Sequence, residues 1–424
     1  MVKFWQGTPF NQSYKKALFR ILIPTFFAGL GSLGAIKAIL SPYISFLLEN
    51  NLGYSEVVAE GLTSILVGID VVAKLAISPI TGYLADKYGR RKLVVIGLSI
   101  GIIAGLSLIW AYFFSYEIAI FSGIIAGVIV LGLETGQVNT AITISSGDTG
   151  EEYNKIGLTE TLWDVSLISG MIVGIIISFV LDLTYLQSFT IGVISFIIGA
   201  ILAFFVFRET KQPIGDQVKI DESKITINNY KDILKEKNFI PLFVFAFVVE
   251  AEESGLVFTI FPLIFQNFGF SSNEIPMLTL LPAVLTLAIV FAPMGWLSDK
   301  FGRKKLALIG CFASFFILIA MYLALSLYNA WSALIIMGIF LTIAVSAYRV
   351  PLMASITDMT LREKRGVPYG IFRAFREVGG SIAPLLFGIL ILTGLDLYSM
   401  TLITAIMTII AFIIAIFTFR ETKR

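Results

Sequence analysis

Gly82-Tyr-Leu-Ala-Asp86-Lys-Tyr-Gly89-Arg90-Arg91-Lys92-Leu93 lies between two long apolar runs, and the chain contains it twice. Gly295-Trp-Leu-Ser-Asp299-Lys-Phe-Gly302-Arg303-Lys304-Lys305-Leu306 follows 213 residues later, and ten of the sixteen positions in 82–97 recur unchanged in 295–310. A second echo keeps nearly the same offset. Phe207-Arg-Glu-Thr-Lys211 returns 212 residues on as Phe419-Arg-Glu-Thr-Lys423. The sequence is therefore one unit of about 210 residues written twice, and every later inference has to respect that period.

Of 424 residues, 57% are hydrophobic and 14% charged. Soluble proteins are nearer a quarter charged, so this chain is solvated mainly by lipid. The net charge of +2 gives no reason to expect a nucleic-acid partner. Cys311 is the sole cysteine, which excludes an internal disulfide and a cysteine metal cluster. No metal site or cofactor is expected. There is no histidine, so any proton chemistry falls to carboxylates. No cleavable signal is expected, because the first apolar run is too long for a signal core.

A helix crossing a bilayer needs about 20 apolar residues. Twelve runs qualify: 17–48, 56–84, 91–113, 116–146, 155–181, 185–207, 239–266, 273–297, 304–327, 330–357, 366–393 and 396–419. Lipid offers no hydrogen-bond partner to a bare backbone, so all twelve are expected to be helices. Lys and Arg crowd into alternate connections, 25 of the 31 in the chain, and the intervening connections hold none. That asymmetry puts both termini and the central linker in the cytoplasm. The expected division is an N-terminal six-helix bundle over 1–208, a linker over 209–238 and a C-terminal six-helix bundle over 239–424. The last part of the linker, Asn229–Phe239, reads as a short amphipathic helix or a simple tether.

The doubled loop has a physical reading. Gly82 and Gly295 let a neighbouring helix approach closely. Asp86 and Asp299 can sit on a helix N-terminus or accept from an arginine. Gly89 and Gly302 permit the tight turn between spans. With these residues in place, the chain resembles the major facilitator superfamily of transporters, whose hallmark loop joins spans 2 and 3 and spans 8 and 9. The resemblance covers all twelve spans. It implies an all-α membrane protein of the major facilitator fold, with two six-helix bundles related by a pseudo-twofold axis around a central cavity. It also implies that spans 1, 4, 7 and 10 line that cavity. Asp148 and Asp358 look like the family's loop aspartates, which would give one cluster of Asp86, Arg90 and Asp148 and another of Asp299, Arg303 and Asp358. By resemblance these clusters latch the outward-facing state and break to release the inward-facing one.

Two features depart from the family's drug–proton antiporters. Gly170-Met171 stands where those usually carry Gly-Pro in span 5, although Ala383-Pro384 keeps the proline in the second half. Gly132-Leu-Glu134 occupies the stretch of span 4 where they usually have an arginine. The Glu-Thr-Lys that ends each half is similar to the sugar-porter branch.

Charged side chains inside the spans are costly and mark function. Away from the span ends, the cations are Lys37, Lys74, Arg349, Arg373 and Arg376; the carboxylates are Asp70, Glu134, Asp164, Glu250, Glu252, Glu253 and Glu377. Asp70 and Lys74 stand four residues apart on one helix, as do Arg373 and Glu377, which suggests local structural ion pairs. Glu134, with Gln137 one turn on, lies near the middle of span 4. Glu250 and Glu253 share one face of span 7, while Glu252 points elsewhere. Lys37 and Arg349 lie on spans 1 and 10. Each helix that the resemblance places around the cavity thus carries a charge near its centre. Lys37, Glu134, Gln137, Glu250, Glu253 and Arg349 are the candidate substrate or proton site. Close carboxylates repel when both are ionised, which favours a proton held between them.

The leading functional expectation is a secondary active transporter of a small organic solute, working by alternating access and coupled to protons. Efflux of amphipathic compounds, a proton-independent facilitator and a non-transporting receptor remain alternatives. No phosphate-cradling glycine loop, nucleophile–base pair or metal constellation is present in the sequence, so neither ATP drive nor enzyme activity is expected. A monomer in the plasma membrane, meeting lipid, a small-molecule substrate and protons, completes the expectation.

Overall fold

The computed structural model describes residues 12–153, 156–207, 209–210, 239–359 and 366–422. Among them the secondary structure is helical throughout, without a strand. α1 is segmented into α-helical Gln12–Ala28, π-helical Gly29–Lys37, α-helical Ala38–Phe46 and π-helical Leu47–Asn51. The first half continues with α2 (Glu56–Tyr88), α3 (Arg90–Tyr112), α4 (Glu117–Glu152), α5 (Ile156–Val180) and α6 (Tyr185–Val206). The second half opens with α7, again segmented into Phe239–Glu250, a π-helical Ala251–Ile260 and Phe261–Asn267. It continues with α8 (Glu274–Phe301), α9 (Arg303–Tyr328), α10 (Trp331–Met359), α11 (Gly366–Leu392) and α12 (Ser399–Thr418).

Eleven of these helices are long and apolar enough to cross a membrane on their own. The exception is α7, where Glu250, Glu252 and Glu253 crowd into the middle of the run. The wide π turns of α1 and α7 fall on the first helix of each half. A π turn widens the helix and re-aims its side chains, and such turns concentrate at functional sites.

Apolar side chains fill each half separately. One core unites α1 to α6 through residues such as Tyr43, Leu98, Val128 and Phe196. Two more hold the second half, around Phe265, Phe387 and Met400 and around Phe245, Tyr348 and Phe419. A fourth, smaller cluster straddles the halves, where Ala38, Met171 and Ile175 meet Leu280.

The halves are joined most extensively along α2 and α11. Gly61 faces Gly388 and Leu392, and Gly68 faces Leu385, so the two helices cross with little between their backbones. The expectation for Gly82 and Gly295 is corrected here. Among the described residues no atom stands within 4 Å of where a Gly82 Cβ would sit, and only Val350 of the same half reaches the equivalent point at Gly295, at 4.0 Å. Close crossing happens further along α2, toward the face opposite the basic loops. On that face Asn267 donates to Glu60 at 2.6 Å, Asn273 to Asp182 at 2.6 Å and Ser41 to the Phe258 carbonyl at 2.8 Å, each bond linking one half to the other. The stretch Asn229–Phe239, read as an amphipathic helix, lies outside the described residues except for Phe239.

Candidate functional site

Both repeated loops turn on a glycine in the left-handed region, Gly89 at φ 94° and Gly302 at φ 97°. The turn exposes the first amides of α3 and α9, which carry the positive end of the helix dipole. A carboxylate sits on each. Glu209 accepts from the backbone N–H of Arg90 at 3.0 Å and of Arg91 at 3.2 Å. Glu421 accepts from Arg303 at 2.8 Å and Lys304 at 3.2 Å. These are the glutamates of the second sequence echo. The sequence alone gives them no structural role, and the signal that points to one is the shared offset of the two echoes.

The adjacent threonines extend each knot. Thr210 donates to Asp148 at 2.8 Å, and Thr422 to Asp358 at 3.5 Å. Arg90 pairs with Asp148 at 3.3 Å. Arg303 pairs with Asp358 at 3.0 Å and with Asp299 at 2.6 Å. The side chain of Asp86 lies outside the described residues. Each of these bridges ties helices of one half together. The inter-half cytoplasmic latch implied by the resemblance is a different arrangement from these pairs.

Midway along the helices, charges form a chain across the molecule. Lys37 of α1 meets Asp70 of α2 at 2.5 Å. Lys74, one turn further on α2, reaches across to Glu377 of α11 at 2.7 Å. Arg376, beside Glu377, contacts Glu250 of α7 at 2.5 Å and Glu253 at 3.8 Å. Arg349 of α10 closes the chain on Glu253 at 2.9 Å. Lys37, Lys74, Arg376 and Arg349 thus balance Asp70, Glu377, Glu250 and Glu253.

This geometry revises the expected charge pairing. The local Asp70–Lys74 pair is replaced by pairs between helices, because the long side chains of Lys37 and Lys74 reach carboxylates on facing helices. Glu377 pairs with Lys74, while the side chain of Arg373 lies outside the described residues. The repulsion expected between Glu250 and Glu253 is offset by Arg376 and Arg349. Lys37 and Arg349 of the candidate site are both engaged in ion pairs.

Besides Glu60 on the face opposite the loops, two buried carboxylates midway along the helices stand outside this balance. Glu134 of α4, 1% exposed, accepts from Thr135 at 3.1 Å, and Thr135 in turn meets Ser32 of α1 at 3.2 Å. A narrow cavity there is lined by Ser32, Leu33, Glu134, Thr135, Asn139 and Leu167. The Lys37 and Asp70 charges are both near enough to act on Glu134. Glu252 of α7, also 1% exposed, is held by hydroxyls inside the second half. Gln137 turns away from the cavity and donates to the Leu93 carbonyl of α3 at 2.9 Å. Asp164 is exposed on α5. The sequence shows Arg376 only as one of the cations inside the spans, whereas it is central to the chain.

Two six-helix halves carry the same glycine turn, arginine and docked glutamate, and one family model fits both of them. The chain belongs to the Major Facilitator Superfamily. The model matches residues 25–291 and again 251–424. Like its superfamily, this facilitator is a multi-pass membrane transporter and not an enzyme.

Among relatives, "Multidrug resistance protein 2" of Bacillus subtilis (strain 168) is 24% identical over 388 residues, covering 89% of each chain. The "Tetracycline resistance protein, class H" of Pasteurella multocida is 24% identical over 409 residues, 92% of this chain and 96% of that one. The "Multi-drug resistance efflux pump PmrA" of Streptococcus pneumoniae serotype 4 (strain ATCC BAA-334 / TIGR4) is 23% identical over 287 residues, 66% of this chain and 68% of that one. In fold, this facilitator is similar to a D-xylose-proton symporter, with TM-score 0.75 and 15% identity over 96% of this chain and 98% of that one. A point mutant of the nucleoside transporter NupG superposes with TM-score 0.72 and 15% identity, covering 95% of this chain and all of the other, 100%.

Proposed function

We propose that this facilitator is a proton-coupled secondary transporter of a small organic solute, with Glu134 as the carboxyl that takes up and releases the coupled proton. One observation carries the reading. Four cations and four carboxylates balance one another across the middle of both halves, and Glu134 is left with hydroxyl partners beside a narrow cavity. A buried carboxyl without a cation of its own is stable only while it can shed its charge, which is the property a proton carrier needs. The absence of histidine from the sequence leaves this task to a carboxyl.

The solute path in this reading is enclosed by α1, α4, α7 and α10, with Lys37, Glu250, Glu253 and Arg349 at its centre. The halves meet on the face opposite the basic loops, so the conformation is one that opens toward the cytoplasm. Residues 1–208 and 239–424 move as two bodies joined by 209–238, both termini are cytoplasmic, and a monomer in the plasma membrane suffices. The names of three relatives support export of amphipathic compounds as a second reading.

Proteoliposome assays with an imposed pH gradient, screened over sugars, organic acids and lipophilic cations, separate these readings. Coupling predicts that one class accumulates against its gradient only while the pH gradient lasts. Equal equilibration with and without the gradient for every solute moved contradicts coupling.

A further inference from the structure

Glu252 is the second carboxylate that the mid-membrane chain does not use, and it lies in the other half, away from the cavity that Glu134 borders. It is turned into the space between α7, α9, α10 and α12. Ser314 of α9 donates to its Oε1 at 3.1 Å, Thr408 of α12 donates to the same oxygen at 3.0 Å, and Tyr348 of α10 donates to Oε2 at 2.6 Å. All four side chains are buried.

The titratable groups facing Glu252 are Tyr348 from α10 and Cys311 from α9, and both are neutral acids in their ordinary state. α12 has no ionisable side chain between Ser399 and Thr418. From α11, Arg376 and Glu377 are directed to Glu250 and Lys74, and on α7 itself Glu250 and Glu253 face Arg376 and Arg349. Among the described residues no cation forms an ion pair with Glu252. A structural carboxylate buried at this depth normally comes with one.

The nest can serve either charge state. The Thr408 hydroxyl has one proton and two acceptors in range, Glu252 Oε1 at 3.0 Å and the Thr404 carbonyl at 2.9 Å. When Glu252 is ionised, Thr408, Ser314 and Tyr348 all donate to it. When Glu252 is protonated at Oε1, its own O–H donates to the Thr408 oxygen, Thr408 turns its proton to the Thr404 carbonyl, and Tyr348 continues to donate to Oε2. Neither state leaves a buried polar atom of the carboxyl without a partner, the usual penalty for changing charge in a closed interior.

We propose that Glu252 is a second proton-binding site, enclosed in the C-terminal half and separate from the solute path. The step is loss or gain of one proton at the Glu252 carboxyl, exchanged with water, and no other bond changes. The site does not depend on Glu134 being the coupling group.

Infrared pH-difference spectroscopy on the full chain in lipid nanodiscs tests it without any substrate. A protonated-carboxyl C=O band should appear as buffer goes from mildly alkaline to mildly acidic. It should be missing in Glu252→Gln, and it should shift in frequency in Tyr348→Phe, which removes a hydrogen bond to it. Glu134→Gln should remove a different band, so failure of the coupling reading and failure of this one are distinguishable. If Glu252→Gln does not fold, Tyr348→Phe and Thr408→Val carry the test, and the proposal requires that each shift the band. Difference spectra that match wild type in Glu252→Gln, Tyr348→Phe and Thr408→Val overturn it.

Discussion

Lys74 of α2 and Glu377 of α11 join the two halves of the transporter by an ion pair of 2.7 Å midway along the helices. The pair ends the seam that begins at Gly61 and Gly388. Both side chains are largely withdrawn from solvent, at 16% and 6% exposure. Removing one partner strands the other charge, so Lys74→Met or Glu377→Gln should each destabilise the protein by about 3–5 kcal/mol. The double variant Lys74→Met/Glu377→Gln should recover most of that loss. A double-mutant cycle of thermal unfolding measures the coupling, and additive single effects would show that the contact contributes nothing.

The docked glutamates make a paired prediction. Glu209→Ala and Glu421→Ala each uncover a helix N-terminus and should cost about 0.5–2 kcal/mol, by similar amounts in the two halves. Gly89→Ala and Gly302→Ala should cost about 1–2 kcal/mol from the left-handed backbone alone. They should cost more because a Cβ at Gly89 would collide with the Glu209 carboxylate, and one at Gly302 with that of Glu421. Shifts in melting temperature check all four.

On the opposite face, the Asn267–Glu60 and Asn273–Asp182 bonds close the halves together. Asn267→Ala and Asn273→Ala should each weaken that closure by about 1 kcal/mol, which is roughly a fivefold population shift toward opening there. An impermeant thiol reagent, used on a cysteine placed next to Leu280 in the inter-half cluster, should react faster in both variants. Unchanged rates would mean that these bonds are incidental to closure.

Much of this architecture was legible in the sequence, for a physical reason. Lipid forbids bare backbone, so apolar length alone predicts helices, and a positive-φ glycine cannot be hidden, so Gly89 and Gly302 announced their turns. The partners of charged residues were less legible. Asp70 and Lys74 look like a local pair because a sequence shows neighbours on the same helix, while Lys37 and Glu377 stand on other helices far along the chain. Helical phase placed Glu252 away from Glu250 and Glu253. It could not show that three hydroxyls from three helices converge there. The π turns at Gly29–Lys37 and Ala251–Ile260 have no mark in a 3.6-residue period and shift the faces of α1 and α7. Gln137 falls on the face of Glu134 by count, yet packing turns it to Leu93.

Glu134→Gln fixes the neutral form of the carboxyl assigned to the coupled proton. The variant should lose gradient-driven accumulation by at least tenfold while keeping solute exchange, because binding and rocking remain intact. Arg349→Ala, which leaves Glu253 only its longer 3.8 Å contact with Arg376, should instead impair both. Counterflow measured beside gradient-driven uptake separates the two outcomes, and accumulation at the wild-type level in Glu134→Gln would remove Glu134 from the coupling role.

The central claim is that two halves rock about the line of Lys74 and Glu377. The chain suits a spin-label distance measurement, since its one cysteine, Cys311, is buried out of reach of a label. One label pair at Lys87 and Lys300 spans the basic face, and another at Tyr116 and Tyr328 spans the opposite face. The account predicts that a change of pH or solute shortens the first distance as it lengthens the second. Distances that stay single and fixed on both faces under every condition would contradict it.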